Sequence, residues 1–246
     1  MKKNILSTLL LIAIPFSVAC SSLSETNAVD AQSVSRAAPQ VVSDESSTVV
    51  ASTGILNEQE VADLLYMREE EKLAHDVYVF LHEQWGLPVF NNIASSERTH
   101  TASVLSLLTR FGITDPAAGL AESQFQNADL QSLYDTLVEQ GSLSLADALK
   151  VGAAIEEIDI LDLRDTLTNT TQPDILLVYK TLLAGSTNHL RAFANTLQQQ
   201  TGTTYQPQYL SAEEYEAILS GSNTIGMGNG VQGQPGGRGQ GGPNRN

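Results

Sequence analysis

The sequence predicts an all-α protein, with four long helices in a bundle and a long connection between the second and third helix. Apolar residues between about residues 55 and 220 recur with the 3.6-residue period of a helix. No run of alternating β-branched residues typical of a sheet interrupts that pattern. Two connections between the predicted long helices are short and one is long, which is typical of a bundle with one crossover.

The first two helices are predicted from their start and stop signals. Helix 1 begins at Asn57, where Glu60 completes a capping-box pattern, and extends to about Trp85. The Gly-Leu-Pro sequence at residues 86–88 ends it. Helix 2 then extends to about Phe111, so these two helices form a tight pair.

A long connection follows helix 2 and is predicted to carry a short amphipathic helix over residues 128–139. Helix 3 is predicted over residues 144–168 from a serine cap, and helix 4 over residues 173–200 from a proline at its first turn. Ser211 with Glu214 predicts one more short helix. The crossover therefore lies between helices 2 and 3.

The first residues have the pattern of an export signal. Two lysines precede an uncharged apolar run over residues 5–18, which is too short for a membrane-spanning helix. The single cysteine, Cys20, follows the small-residue sequence Ser-Val-Ala that a lipoprotein signal peptidase recognises. We expect residues 1–19 to be a signal peptide and Cys20 to be lipidated. Ordinary cleavage after Ala19, leaving a free thiol, is the alternative.

Both flanks of the helical region are predicted to be flexible. Residues 20–54 are rich in Ser, Thr, Ala and Val without a helical period, as in a tether. Residues 221–246 are rich in Gly and cannot bury apolar surface. We expect a folded domain over residues 55–220, anchored by lipid to the cell envelope on the periplasmic side, with the outer membrane as the expected membrane.

The charge of the chain restricts its partners. The sequence has 13 Lys and Arg against 28 Asp and Glu, a formal net charge of −15. Such an acidic surface argues against nucleic acid and anionic lipid as partners and is compatible with cations. With one cysteine the domain has no internal disulfide, so its stability must come from packing, or from packing and a metal.

Helix 2 carries a Glu-x-x-His sequence, from Glu97 to His100. This spacing places a carboxylate and an imidazole one turn apart on one face, where both can ligate one metal centre. Alone the pattern is a weak signal, because it also arises on solvated faces. Neighbouring apolar residues such as Ile93, Val104 and Leu107 place this face against a core, where an unpaired charge is costly.

Helix 1 carries three consecutive glutamates, residues 69–71. We expect at least one of them to lie on a solvated face, because successive residues of a helix point in different directions. Position alone does not choose between Glu70 and Glu71 as an inward-facing ligand. His75 lies one turn after Glu71 and is an additional candidate donor.

Helices 3 and 4 each interrupt an apolar face with a polar residue. On helix 3 this residue is Glu156, and Glu157 takes its place if the helix is rotated; two surface glutamates are the alternative. On helix 4 it is His189. A single histidine on an apolar face is more often a hydrogen-bonded core residue than a ligand, but the candidates on the other helices favour ligation.

Two motifs resemble helices 1 and 2 of ferritins and rubrerythrins: Glu71-x-x-Ala74-x-x-x-Tyr78 and Ile93-Ala94-x-x-Glu97-x-x-His100. Residues 66–115 resemble still more an uncharacterised ferritin-like family. The resemblance implies a ferritin-like four-helix bundle with a dinuclear iron site; mixed carboxylate and imidazole ligation also suits manganese or zinc. The implied metal ligands are Glu71, Glu97, His100, Glu156 or Glu157, and His189, with His75 as an unusual extra donor.

One position departs from the pattern that the resemblance implies. The second Glu-x-x-His of the superfamily is here Ser186 to His189, so an expected carboxylate is missing. The site could be an incomplete di-iron centre, a single Fe, Mn or Zn centre, or a remnant retained for packing.

Three functions are compatible with this sequence. We expect an exported metal-dependent redox protein that reacts with oxygen or peroxide; the alternatives are a metal-buffering protein without turnover and a structural or interaction bundle. Cage storage is disfavoured by the expected tether and Gly-rich tail, which still allow a homodimer. An attached iron–sulfur site of the rubrerythrin type is excluded from this chain because it has no Cys-x-x-Cys.

Overall fold

The structure, a computed structural model, describes residues 55–221, which form six helices and no strand. In chain order these are α1 (Glu58–Trp85), α2 (Pro88–Arg110), α3 (Ala128–Gly141), α4 (Leu145–Asn169), α5 (Pro173–Thr201) and α6 (Ala212–Leu219). The all-α prediction is confirmed for this part of the chain, with predicted helices 3 and 4 corresponding to α4 and α5. The predicted signal peptide, lipidation at Cys20, tether and nearly all of the predicted tail lie outside the described residues.

The ends of α1 follow from its sequence. The Asn57 side chain accepts a hydrogen bond from the Glu60 N–H, and the Glu60 carboxylate accepts one from the Asn57 N–H, both at 2.9 Å. These two bonds form the predicted capping box. At the other end Gly86 adopts the left-handed conformation with φ of 65°, which glycine reaches without a side-chain clash. The chain therefore reverses within two residues and starts α2.

The four long helices enclose a common interior. α1 packs against α2 and α4, and α5 packs against the same two helices. Because α1–α2 and α4–α5 are joined by only two and three residues, each pair is antiparallel. One end of the interior is filled by a cluster of fully buried apolar side chains that includes Leu64, Met67, Leu108, Tyr179 and Leu182. None of the helices within residues 55–221 has the length and apolar character needed to cross a membrane.

The connection between α2 and α4 is bound to α1 by hydrogen bonds. The Glu69 carboxylate accepts bonds from the backbone N–H groups of Gln126 and Asn127, just before α3. Lys72 donates to the carbonyl of Ala121 at 3.0 Å. Polar residues of α1 therefore fix the path of the crossover over this helix.

The prediction that at least one of Glu69, Glu70 and Glu71 is solvated is wrong. All three are at most 5% exposed. Glu69 is covered by the crossover connection, whereas Glu70 interacts with Asp162 of α4 and Glu71 lies beside Glu97 of α2. The helix can bury three successive carboxylates because a different element covers each direction.

Candidate metal centre

Five of the residues proposed as ligands come together between the long helices, each near the middle of its helix. They are Glu71 of α1, Glu97 and His100 of α2, Glu156 of α4 and His189 of α5. Their ligand atoms form two groups in which all atoms lie within 4.8 Å of one another. Glu71, Glu97 and His100 form one group, and Glu97, Glu156 and His189 form the other. The two groups therefore share the Glu97 carboxylate.

Glu97 lies between the two imidazoles. Its Oε2 is 2.7 Å from Nδ1 of His100, and its Oε1 is 2.7 Å from Nδ1 of His189. The outer carboxylates are farther away, with Glu71 Oε2 at 3.3 Å from His100 Nδ1 and Glu156 Oε2 at 3.5 Å from His189 Nδ1. Each oxygen of Glu97 thus faces a different half of the cluster.

The chemistry of these atoms fits a bound cation. The two Glu97 oxygens face the Nδ1 atoms of His100 and His189 at ion-pair distance without hydrogen-bond geometry, and Oε1 of Glu71 has no hydrogen-bond partner among the described residues. Leaving buried polar atoms unpaired is costly, and carboxylate oxygens and imidazole nitrogens together are ligands of Fe, Mn and Zn. The two groups could therefore hold metal ions.

The outer glutamate of α4 is oriented by a tyrosine. The Tyr78 hydroxyl donates a hydrogen bond to Oε1 of Glu156 at 2.6 Å, which leaves Oε2 on the side of His189. Tyr78 is fully buried, and its ring packs against Phe193 with centroids 5.1 Å apart. In metal sites, ligand carboxylates are typically oriented by hydrogen bonds from neighbouring side chains in this way.

A glycine of α5 makes room for one of the histidines. A Cβ atom at Gly185 would lie 2.6 Å from Cε1 and 2.7 Å from Nε2 of His100. The imidazole therefore lies directly against the α5 backbone, and its ring stacks near that of His189 with centroids 5.6 Å apart. Because of this close approach, Nδ1 of His100 faces the carboxylates.

Burial and mutual charge perturb the ionisation of the cluster. Burial raises the pKa of Glu71, and the charges of Asp159 and Glu97 raise it further. Burial also acts to raise the pKa of Glu97, but its two histidine neighbours outweigh it and lower that pKa to about 2. Burial acts to lower the pKa of His189, but Glu156 and Glu97 raise it to about 10. Without metal, a protonated imidazole therefore neutralises part of the carboxylate charge.

Glu157 lies outside this cluster. Its side chain is fully buried on another face of α4, where Oε2 accepts hydrogen bonds from the backbone N–H groups of Gln208, Tyr209 and Leu210. The carboxylate thereby holds the segment between α5 and α6. Of the two alternatives on this helix, Glu156 lies at the candidate centre, whereas Glu157 binds the backbone of the segment before α6.

His75 is also not part of either ligand group. Its Nδ1 lies 2.9 Å from Oδ1 of Asp76, on the side of α1 that faces the crossover connection. Asp76 also accepts a hydrogen bond from the Ser123 N–H at 3.0 Å and pairs with Lys72. The polar contacts that bind the connection thus hold His75 away from the other donors.

Sequence reasoning missed one acidic residue next to the centre, Asp159. It lies on α4 one turn after Glu156, is 7% exposed and accepts a hydrogen bond from the Ser186 hydroxyl. Its Oδ1 has no hydrogen-bond partner in the described part of the chain. The available signal was its i,i+3 spacing from Glu156, which places both carboxylates on one face.

The helices and their buried carboxylate and histidine groups define an all-helical protein with a candidate metal centre. The chain belongs to the family described as "Uncharacterized protein domain (DUF2202)", whose sequence model matches residues 60–222. It is 48% identical over 172 residues to "Uncharacterized protein MJ0754" of Methanocaldococcus jannaschii, an alignment that covers 70% of this chain and 92% of that protein.

A solved structure shows the same fold in a relative. The crystal structure of hypothetical protein MJ0754 from Methanococcus jannaschii matches with a TM-score of 0.65 at 48% sequence identity. The match covers 67% of this chain and 94% of that chain. The all-helical fold is therefore shared with an experimentally determined relative.

Proposed function

We propose that the described domain is a ferritin-like four-helix bundle that binds two iron ions and works as a metal-dependent redox protein at the cell envelope. The observation that carries this proposal is the sharing of Glu97 by two groups of metal ligands in the bundle interior. The cyclic packing of the long helices, with one long crossover, supports the ferritin-like assignment. Motif resemblance on α1 and α2 favours iron over manganese or zinc.

Each group of ligands has a definite task under this proposal. Glu71 and His100 would hold one ion, Glu156 and His189 would hold the other, and Glu97 would contribute to both groups. When bound, iron would supply electron transfer to oxygen or peroxide. The protein supplies a buried site, and Tyr78, outside both ligand groups, keeps Glu156 turned toward its ion.

The location is proposed from the sequence of the amino-terminal region. Residues 1–19 have the pattern of a signal peptide, and a lipid on Cys20 would attach the domain to the membrane. A periplasmic position would expose the bundle to oxygen and peroxide from outside the cell. The membrane is therefore the partner that we propose, through the lipid and not through the acidic domain surface.

A second function is favoured by one specific residue. Ser186 occupies the place of a carboxylate in the second Glu-x-x-His motif, and fewer anionic ligands weaken the binding of a second ion. A protein that buffers or sequesters one metal ion without turnover is thus the second candidate.

Metal stoichiometry decides between these functions. The full chain is loaded with Fe(II) without oxygen, desalted, and analysed by elemental mass spectrometry beside a Glu97→Ala, His100→Ala variant. The matched control is His82→Ala, Glu83→Ala, which removes the same two side-chain types from the far end of α1. Circular dichroism shows whether each variant remains folded.

We expect two irons per chain in the wild type and the control, and a loss in the Glu97→Ala, His100→Ala variant. One iron per chain would favour the buffering function. No bound metal in a folded wild-type protein would contradict both and leave a helical interaction module.

A further inference from the structure

Ser186 and Asp159 form a pair beside the candidate centre. Ser186 lies one turn before His189 on α5, is 1% exposed, and donates a hydrogen bond to Oδ2 of Asp159 on α4. One turn along the same two antiparallel helices, Glu156 lies beside His189. The two helices therefore present two successive polar pairs to the interior.

Asp159 lies close to carboxylates of both ligand groups, because the charges of Glu156 and Glu97 act on it and its own charge acts on Glu71. Gly185, the neighbour of Ser186, is in contact with the His100 ring, and His100 is the partner of Glu71. Without a cation the charges of Asp159 and Glu71 repel each other.

The carboxylate of Asp159 is buried and only partly hydrogen-bonded, as expected of a metal ligand. One of its oxygens is held by Ser186, and the other, Oδ1, is buried without a hydrogen-bond partner among residues 55–221. The side chain is more than nine-tenths buried, where an unpaired carboxylate is costly unless a cation binds it.

We propose that Asp159 is the carboxylate that completes this centre beside Glu71 and His100, in place of a glutamate at position 186, and that Ser186 positions it. The inference rests on the proposed metal-binding function. Compared with a ferritin-like centre, one carboxylate ligand then comes from α4 instead of α5, and the number of protein ligands is again six. They are Glu71, Glu97, His100, Glu156, Asp159 and His189. Their four carboxylates balance the charge of two divalent ions.

The first test is Asp159→Asn, which keeps the size of the side chain and its ability to accept a bond from Ser186. Co(II) and Fe(II) binding to the full chain are measured by titration and elemental mass spectrometry. We expect the stoichiometry to fall from two ions to one, or the weaker ion to bind at least about 10-fold less tightly. Asp165→Asn, an exposed aspartate on the same helix, is the matched control and should bind as the wild type.

Melting temperatures separate ligation from a structural role. Because Asp159→Asn removes a buried charge next to other carboxylates, the metal-free variant should melt no lower than the wild type, while the rise on adding Co(II) becomes smaller. A lower melting temperature without metal, together with unchanged binding of two ions, would overturn the inference.

A double variant tests directly whether Asp159 replaces the carboxylate that is missing at position 186. Asp159→Asn combined with Ser186→Glu returns the carboxylate to α5 and should restore the second ion that Asp159→Asn loses. A folded double variant that still binds one ion would show that a carboxylate at position 186 cannot take the place of Asp159, and would overturn the proposal. A wild type that binds no ion would overturn the metal-binding function itself, whereas two equally tight ions in Asp159→Asn would overturn only the role of Asp159.

Discussion

At the scale of single residues, the three glutamates of α1 show how neighbours in sequence acquire different tasks. Glu69 binds the backbone of the crossover, Glu70 faces Asp162, and Glu71 joins the candidate metal centre. The helical period separates these directions by about 100° per residue, but it does not state what covers each direction. The tasks therefore become visible only when the packed elements are known.

Gly185→Ala should weaken metal binding. The added Cβ would lie 2.6 Å from the His100 ring, so the imidazole must move away from the carboxylates. We expect about 10-fold or greater loss of Co(II) affinity, the size found for changes around metal ligands. Titration followed by absorbance measures it, with Lys180→Ala on the exposed side of α5 as control. Unchanged affinity together with higher stability would show that the glycine serves no purpose at the site.

The metal-free protein should lose stability in alkali through His189. Its pKa is raised from 6.5 to about 10 in the folded state, so its contribution is complete below pH 6.5 and is lost as the pH rises through 10. Urea unfolding between pH 6 and 10 measures the decline. His189→Gln should show a smaller decline over this range, and an equal decline in both proteins would contradict the assignment.

Glu97 should protect the metal-free protein at the opposite end of the pH scale. Its pKa is lowered from 4.5 to about 2, so its contribution is present above pH 4.5 and is lost as the pH falls through 2. Acid unfolding followed by circular dichroism compares wild type with Glu97→Gln. The variant should unfold with a smaller dependence on pH below 4.5; an identical acid transition would count against the His–Glu pairing.

At the scale of elements, the sequence predicts the helices and most of the site because caps, Gly and Pro mark the ends and the apolar period marks the inner faces. Glu156 and Glu157 could not be separated this way. They differ by one position. Glu157 is held by the backbone of residues 208–210, an irregular segment, and no local sequence pattern predicts that this segment packs against α4. Asp159 was not predicted, because the second Glu-x-x-His motif predicts the carboxylate at position 186 of α5 and not on α4.

Adjacent glutamates of α4 should therefore give opposite phenotypes. Glu157→Ala removes the acceptor of three backbone N–H groups and should lower the free energy of unfolding by about 1–3 kcal/mol without changing metal stoichiometry. Glu156→Ala should reduce metal binding. Denaturant unfolding of the metal-free proteins and elemental analysis measure both effects, and the reverse pattern would mean that α4 is rotated relative to this structure.

At the scale of the whole molecule, four helices bring six potential ligands from distant parts of the sequence into one interior. The packing order of the helices follows from short connections at two places and one long connection, which the sequence predicts. The high negative charge of the chain is compatible with the binding of cations. The solved relative of 48% identity shows that this fold is shared beyond one chain.

Metal binding should stabilise the whole domain, because ions that bind only the folded state shift the unfolding equilibrium by mass action. We expect the melting temperature of the wild type to rise with Fe(II) or Mn(II) and to fall back on chelation. Differential scanning calorimetry measures the shift, and Glu97→Ala should abolish most of it. An equal shift in that variant would place the binding elsewhere.

A crystal structure of the metal-loaded protein, with anomalous scattering recorded at the iron absorption edge, would locate the bound ions directly. We expect two anomalous peaks in the bundle interior, one beside Glu71 and His100 and one beside Glu156 and His189, with Glu97 between them. A loaded crystal with no peak among these side chains would contradict the proposed metal centre.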